Sequence, residues 1–181
     1  MNPLTFRVSI VLLFSIFSLK ACSPQPDHEA LMKSITASEQ IMQQAERDGL
    51  PETLRLSAET LDSLYLVYIQ QWPDSSRSET FLYNRATLLA DYLNDADSSI
   101  VVLDELITTY PSSEWIEKAR FLKGYTLNNR LQDTTRAGEA YRAFLREHPS
   151  SDLVPSVQFE LNTMGKSMDD IDQLLQNKIK P

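Results

Sequence analysis

A proline followed by a serine-containing polar pair recurs along this chain with a 38-residue period. The three copies are "QQWPDSSR" around Pro73, "TTYPSSEW" around Pro111 and "REHPSSDL" around Pro149, and an aromatic or imidazole ring precedes each proline. Proline ends helices and serine begins them, so each copy predicts a joint between two helices. A period of this length is typical of helical solenoids, in which similar units stack on one another.

Each unit between two joints contains one polar break, "LND" at 93–95 and "LQD" at 131–133, with the same spacing as the joints. The break divides the unit into two helices, and we expect Ser76 and Glu79 to form a capping box at the start of the first complete unit. Two more helices are predicted before the first joint, one after Asp27 and one beginning at Pro51. Only 4 glycines occur and no stretch alternates with period two, so we predict an all-α chain of about three and a half helical hairpins.

Positions 1–21 predict an export signal, because Arg7 precedes an apolar run at 8–19 that is too short to span a bilayer. The run ends in "LKAC", which resembles the lipobox of bacterial lipoproteins and implies lipid attachment at Cys22, the only cysteine. The alternative is a free cysteine at the end of a retained anchor helix. We therefore divide the chain into a signal peptide at 1–21, a tether at 22–27 and a repeat domain at 28–181.

The charge of the chain excludes one class of partner. The formal net charge is -8, and loss of the signal with Arg7 and Lys20 leaves 15 basic against 25 acidic residues. Nucleic-acid binding needs a basic surface, so we expect no nucleic-acid partner. One segment departs from this pattern, because residues 112–148 hold 7 basic and 5 acidic side chains.

The sequence offers little for catalysis or metal binding. His28 and His148 each lack a second His or Cys at ligand spacing, and we expect His148 to pack at its joint. "MGKS" at 164–167 resembles part of a phosphate loop, but Glu160 occupies the position of the first glycine, so we interpret Ser167 as a helix cap. We predict no catalytic, cofactor or metal site and no enzymatic activity, and a last helix through 171–175 that covers the end of the solenoid.

The third unit, "ARFLKGYTLNNRLQDTTRAGEAYRAFLREHP", resembles a tetratricopeptide repeat. Gly124 lies where that repeat has a small residue for close helix packing, and its second-helix pattern is followed by Ala137, Tyr141, Phe144, Leu145 and Pro149. The second unit is similar, with Ala86 in place of the glycine. The resemblance covers residues 51–165 and implies a right-handed solenoid of tetratricopeptide-like hairpins.

Repeats with "YPSS" joints behind a lipobox are similar to two kinds of outer-membrane lipoprotein, the BamD-like assembly subunits and the Tol-Pal-associated (YbgF-like) periplasmic coordinators. The resemblance implies a scaffold anchored in the outer membrane by its N-terminal lipid, at the periplasmic face, that binds protein or peptide partners of the cell envelope. One alternative is a Tol-Pal or peptidoglycan-associated coordinator. A second alternative, from another class, is a small-ligand binder or an enzyme.

The repeat register predicts a partner groove along the first helices of the units. Its expected residues are Tyr83, Asn84, Thr87, Lys118, Phe121, Tyr125, Asn128, Asn129 and Phe159. Tyr83, Phe121 and Phe159 occupy equivalent positions and form a predicted aromatic stripe. The alternative is that these rings fill the core between repeats, as most aromatic side chains do.

Overall fold

The computed structural model describes residues 27–167 and 169–173, and these contain helices and no strands. Within these residues, seven helices of ten or more residues follow one another. They are α1 (His28–Arg47), α2 (Pro51–Gln71), α3 (Ser76–Asp91), α4 (Ala96–Thr109), α5 (Ile116–Asn129), α6 (Thr134–Glu147) and α7 (Val154–Thr163). Residues 169–173 are also helical. The signal segment, Cys22 and residues 174–181, which include the end of the predicted last helix, lie outside the described residues.

The first two helices begin and end where the sequence places them. The Asp27 side chain accepts a hydrogen bond from the backbone N–H of Glu29 at 3.1 Å and caps α1. Gly49 follows the helix with a φ of 65°, a left-handed conformation that favours glycine. Pro51 is the first residue of α2, where its missing N–H costs no helical hydrogen bond.

The three joints have the same backbone conformation. Helices α2, α4 and α6 end at Trp72, Tyr110 and His148, whose φ and ψ are -130° and 60°, -125° and 61°, and -129° and 56°. The serine three positions after each ring donates its backbone N–H to the carbonyl of that ring-bearing residue at 2.9 to 3.2 Å. The 38-residue repeat in the sequence therefore corresponds to a repeated backbone conformation at the joints.

The capping serine is one position earlier than expected in the first joint. The Ser75 hydroxyl accepts the N–H of Arg77 at 3.3 Å, and α3 begins at Ser76 with Ser75 as its cap. Ser113 and Ser151 occupy the equivalent positions of the next two joints and accept the corresponding N–H groups at 3.2 Å. The expected capping box of Ser76 and Glu79 was wrong because the serine pair offers two candidates and the turn geometry selects Ser75 here.

The breaks inside the units also match each other. Asn94 and Gln132 adopt left-handed conformations with φ of 52° and 56°. Asp95 and Asp133 follow them, and each side chain accepts the backbone N–H three residues further on, at 3.1 and 2.9 Å. Each break thus ends one helix and caps the next, which closes the hairpins α3–α4 and α5–α6.

The hydrophobic core runs between the helices in two clusters, one spanning α1 to α5 and one spanning α4 to α7. Its largest fully buried side chains include Ile35, Leu61, Tyr68, Leu82, Leu103, Leu106, Leu127, Tyr141, Phe144 and Val157. Burial of one such side chain stabilises the fold by about 1.5 to 3 kcal/mol. Three hairpins, α1–α2, α3–α4 and α5–α6, followed by α7 confirm the predicted helical-hairpin solenoid.

Candidate interaction surface

Polar side-chain contacts connect the first helices of successive hairpins. Each of the three steps between them is bridged by a side-chain contact near the helix C-termini. These contacts join Tyr92 to Glu46 at 3.2 Å, Arg130 to Asp91 at 2.8 Å and Asn128 to Glu160 at 3.4 Å. These contacts connect α1, α3, α5 and α7 from one unit to the next, and the partner groove along them stays a prediction.

An open pocket of about 350 Å³ lies at the first of these steps, and we call it the α1–α3 groove. Its floor consists of Leu61, Tyr65 and Leu88. The α1 side of the groove is lined by Glu39, Met42, Gln43 and Glu46, and the α3 side by Tyr83, Asn84 and Thr87. Three of the residues that the sequence placed in a partner groove thus line a real depression.

A buried tyrosine orients one carboxylate of this groove. The Tyr65 hydroxyl donates to Glu39 Oε1 at 2.7 Å, and the Tyr65 side chain is buried. Burial, with a smaller contribution from Glu39, raises the pKa of Tyr65 well above its ordinary value near 10. The hydrogen bond from this hydroxyl holds the Glu39 carboxylate at the edge of the groove.

Trp115 packs against Tyr83, one of the residues that line this groove. Its ring stacks on Tyr83 with centroids 4.6 Å apart and planes 23° apart, and its Nε1 donates to Thr80 Oγ1 at 3.1 Å. The Lys118 ammonium lies 4.6 Å from the centroid of the same indole. Lys118 is therefore engaged with an aromatic ring of its own chain.

Trp115 is a surface residue that the sequence analysis missed. It follows the capping serine of the second joint by two positions. The equivalent positions of the other joints hold Arg77 and Leu153, so the repeat gives no signal for an aromatic ring there. Only the close approach of the joint to α3 places the indole beside Tyr83.

The aromatic stripe divides between core and surface. Phe121 is half-buried, with its ring centroid 6.3 Å from that of Tyr141 and 6.3 Å from that of Tyr125. Tyr125 is 37% exposed and Phe159, on α7, is 44% exposed. Phe121 thus fits the alternative that the rings fill the core, whereas Tyr125 and Phe159 are available to a partner.

The two predicted groove asparagines contact α7. Asn128 Nδ2 and Asn129 Nδ2 lie 3.4 and 3.5 Å from Glu160 Oε2, and the Tyr141 hydroxyl donates to the same oxygen at 3.4 Å. These side chains connect α5, α6 and α7. Together with Phe121, Tyr125 and Phe159, we call Asn128 and Asn129 the α5–α7 surface.

The locally basic third unit is largely neutralised within the fold. Four of its seven basic side chains pair with carboxylates of the chain. The pairs are Arg120 with Glu147 at 2.8 Å, Lys123 with Asp104, Arg130 with Asp91 at 2.8 Å and Arg136 with Asp133 at 3.6 Å. Two of these pairs reach the acidic second hairpin, so the uneven charge of the sequence becomes an attraction between neighbouring units.

The histidines pack against aromatic rings. His148 has its ring centroid 5.3 Å from that of Phe144 and its Nδ1 3.6 Å from Glu117, which places it in the joint as expected. His28 Nε2 lies 3.3 Å from the Tyr68 hydroxyl. In residues 27–167 and 169–173, no three His, Cys, Asp or Glu side chains are grouped so that they could hold a metal ion.

The remaining motif is a helix start. The Ser167 hydroxyl accepts the N–H of Asp170 at 3.2 Å, and the Asp170 carboxylate accepts the Ser167 N–H at 3.2 Å. This reciprocal capping box is the role predicted for Ser167. Of the helices within the described residues, none combines the length and the apolar character that crossing a bilayer requires.

The tetratricopeptide repeat family model matches two segments of the chain, residues 81–113 and 118–151. The segments correspond to the hairpins α3–α4 and α5–α6 with their joints, while the first hairpin and α7 lie outside them. No curated protein and no solved structure matches the chain. Two segments of the chain are therefore similar to tetratricopeptide repeats, and repeats of this kind form scaffolds for protein–protein interaction.

Proposed function

We propose that this repeat protein is a lipid-anchored scaffold that holds partner proteins at the periplasmic face of the outer membrane, in the assembly of outer-membrane proteins. The observation that supports it is the surface of the first helices, which carries both an open groove and exposed aromatic rings. Exposed aromatic side chains on a rigid repeat are typical anchors for a partner. The N-terminal "LKAC" supports the membrane attachment.

The anchor is tested separately from the partner surface. Cys22→Ser removes the only thiol and with it the acceptor for a lipid. We expect the variant to move from the membrane fraction to the soluble periplasmic fraction with its circular-dichroism spectrum unchanged. Retention of the variant in the membrane fraction would exclude lipid attachment at Cys22.

The partner surface is tested by site-specific photo-crosslinking in living cells. A photoreactive amino acid replaces Tyr125 or Phe159, both exposed on the α5–α7 surface, and as a control it replaces Val101, which is 67% exposed on α4. We expect adducts from the first two positions that the control position does not give. Mass spectrometry identifies the crosslinked protein.

The identity of the adduct decides between the proposed role and its rival. Crosslinks to components that assemble outer-membrane proteins support the proposal. Crosslinks to peptidoglycan-binding or Tol-Pal proteins instead favour the coordinator. Equal labelling from Tyr125, Phe159 and Val101 would contradict the use of this face.

A further inference from the structure

The α1–α3 groove combines an apolar floor with two carboxylates that have no cationic partner within the described residues. Leu61, Tyr65 and Leu88 form the floor, and Glu39 and Glu46 stand on α1 at its edge. No Lys, Arg or His nitrogen of the described residues lies within 4.0 Å of either carboxylate. The negative charge at this edge is therefore uncompensated.

Three other acidic side chains at contacts between helices are paired with a base. Asp62 binds Arg85 at 2.7 Å, Asp91 binds Arg130 at 2.8 Å, and Asp104 binds Lys123. Glu39 and Glu46 accept hydrogen bonds from Tyr65 and Tyr92 instead, at 2.7 and 3.2 Å. The hydroxyls fix the positions of these carboxylates and leave their charge available.

The two carboxylates are separated by seven residues of one helix. A rise of about 1.5 Å per residue places their backbone positions about 10 Å apart along α1. In the polyproline II conformation, which has three residues per turn and a rise of about 3.1 Å per residue, side chains three positions apart point to the same side and lie about 9 Å apart. A partner segment with two basic residues three positions apart can therefore reach both carboxylates while it lies along the groove.

We propose that the α1–α3 groove binds a segment of a partner protein in the extended polyproline II conformation, in which one aliphatic side chain lies between two Lys or Arg residues three positions apart. The aliphatic side chain enters the floor, and the two cations reach Glu39 and Glu46. This inference rests on the proposed scaffold function and names the partner chemistry for one part of its surface.

The size and charge of the groove favour this partner over others. A pocket of about 350 Å³ is at the small end of the range for ligand sites, so it takes a side chain and its flanking backbone but not a folded domain. An acidic segment would be repelled by the two carboxylates on a chain with a net charge of -8. Within the described residues, these two carboxylates belong to no group of three His, Cys, Asp or Glu side chains that could hold a metal ion.

The test uses the purified full-length protein and a short fluorescein-labelled peptide of Gly and Ser that contains Lys, Leu and a second Lys three positions after the first. Two matched peptides replace both lysines by glutamate, or the leucine by serine. We expect the first peptide to bind with an affinity that falls as salt is raised. We expect each matched peptide to lose on the order of tenfold or more in affinity, measured by fluorescence anisotropy.

Paired variants of the protein assign the binding to the groove. The double variant Glu39→Gln with Glu46→Gln removes two charges but keeps oxygen acceptors for Tyr65 and Tyr92. We expect it to lower the affinity for the lysine peptide by on the order of tenfold. Glu105→Gln with Glu139→Gln removes the same charge from exposed positions on α4 and α6 and should leave binding unchanged. Circular dichroism checks that both variants are folded.

The outcomes separate this inference from the scaffold proposal. Equal affinity for the lysine and glutamate peptides, or equal binding by the two double variants, would overturn the basic-segment inference. If crosslinking at Tyr125 still captures a defined partner in that case, the scaffold function stands. If the double variant at Glu39 and Glu46 does not fold, the comparison of the three peptides on the unaltered protein still decides the question.

Discussion

The Cβ atom that Gly124 lacks would lie 2.5 Å from Cε1 and 2.7 Å from Cδ1 of Tyr141. Tyr141 is fully buried, so its ring has no free space into which it can turn. The equivalent pair in the preceding hairpin is Ala86 and Leu103, both also fully buried. The smaller residue, Gly124, thus lies opposite the larger side chain, Tyr141. Ala86, which is one methyl group larger, lies opposite the smaller Leu103.

We expect Gly124→Ala to destabilise the fold. Overpacking of a core costs about 1 to 3 kcal/mol, and the better helix propensity of alanine recovers up to about 1 kcal/mol, so the net loss should be about 1 to 2 kcal/mol. Urea denaturation followed by circular dichroism measures it. Gly138→Ala is the control, because the three atoms nearest to the added methyl group are the ends of the flexible Arg142 and Met164 side chains, at 3.2 to 3.3 Å. We expect this control to be neutral or stabilising.

A double-mutant cycle tests the contact itself. Tyr141→Leu combined with Gly124→Ala imitates the pair of the second hairpin, so the combined loss should be smaller than the sum of the single losses by about 1 kcal/mol or more. Additive losses would show that the two residues do not constrain each other.

We expect alanine substitutions at the two neighbouring serines of the third joint to reduce stability by different amounts. Ser151→Ala removes the hydroxyl that accepts the Leu153 N–H at 3.2 Å and donates to Glu117, and should cost about 0.5 to 2 kcal/mol. Ser150→Ala alters the exposed serine beside it and should change stability by less than about 0.5 kcal/mol. Thermal melts of the two variants provide the comparison. A larger loss of stability from Ser150→Ala than from Ser151→Ala would show that Ser151 is not the capping residue.

Two buried tyrosines predict a loss of stability in alkali. Burial first, and then the neighbouring carboxylates Glu39 and Glu160, raise the pKa of Tyr65 and Tyr141 above the ordinary value near 10. A raised pKa in the folded state gives stability that is complete below pH 10 and is lost as the pH rises above 10. Each group should contribute a slope of up to about 1.4 kcal/mol per pH unit.

Phenylalanine variants check this assignment. Tyr65→Phe and Tyr141→Phe should each flatten the fall in stability above pH 10, measured by urea denaturation at a series of pH values. Tyr125→Phe alters a ring that is 37% exposed and serves as the control. An unchanged slope in both buried variants would mean that other groups cause the alkaline unfolding.

Gln132 offers a stabilising change. Its φ of 56° is left-handed, which is unfavourable for a side chain with a Cβ atom, and its one side-chain hydrogen bond, to Asn129 O at 3.3 Å, is exposed. We expect Gln132→Gly to stabilise the fold by about 0.5 to 1 kcal/mol. Glu139→Gly, at an exposed position inside α6, should instead destabilise it by about 1 kcal/mol. The melting temperatures of the two variants are compared with that of the unaltered protein. A shift of both in the same direction would contradict the expected gain from Gln132→Gly and loss from Glu139→Gly.

The sequence allowed the joints and breaks to be predicted because local chemistry determines them. Proline after Trp72, Tyr110 and His148 ends a helix whatever packs around it, and Asp95 and Asp133 cap the helices that follow. Their repetition at one fixed interval then predicted the hairpin solenoid without any knowledge of contacts. The same repetition located Tyr83, Asn84 and Thr87 on one face.

Contacts between units could not be predicted from the sequence, because they depend on which helix surfaces face each other in the fold. The pairing of Lys123 with Asp104 and of Arg130 with Asp91 needs α5 beside the second hairpin, so composition alone could not distinguish a basic surface from an internal ion pair. The carboxylate side of the α1–α3 groove was missed for a second reason. Helix α1 lies outside the repeat register, and no equivalent position marks Glu39 or Glu46.

The matching conformations of the three joints have a consequence for how such a chain can change its length. Because Ser75, Ser113 and Ser151 follow turns with nearly identical backbone angles, the chain direction at one joint is reproduced at the next. Duplication or loss of one whole unit between two of these serines would join backbone segments that already fit. Gene rearrangement at these points can therefore lengthen or shorten the interaction surface one hairpin at a time, with every remaining turn intact.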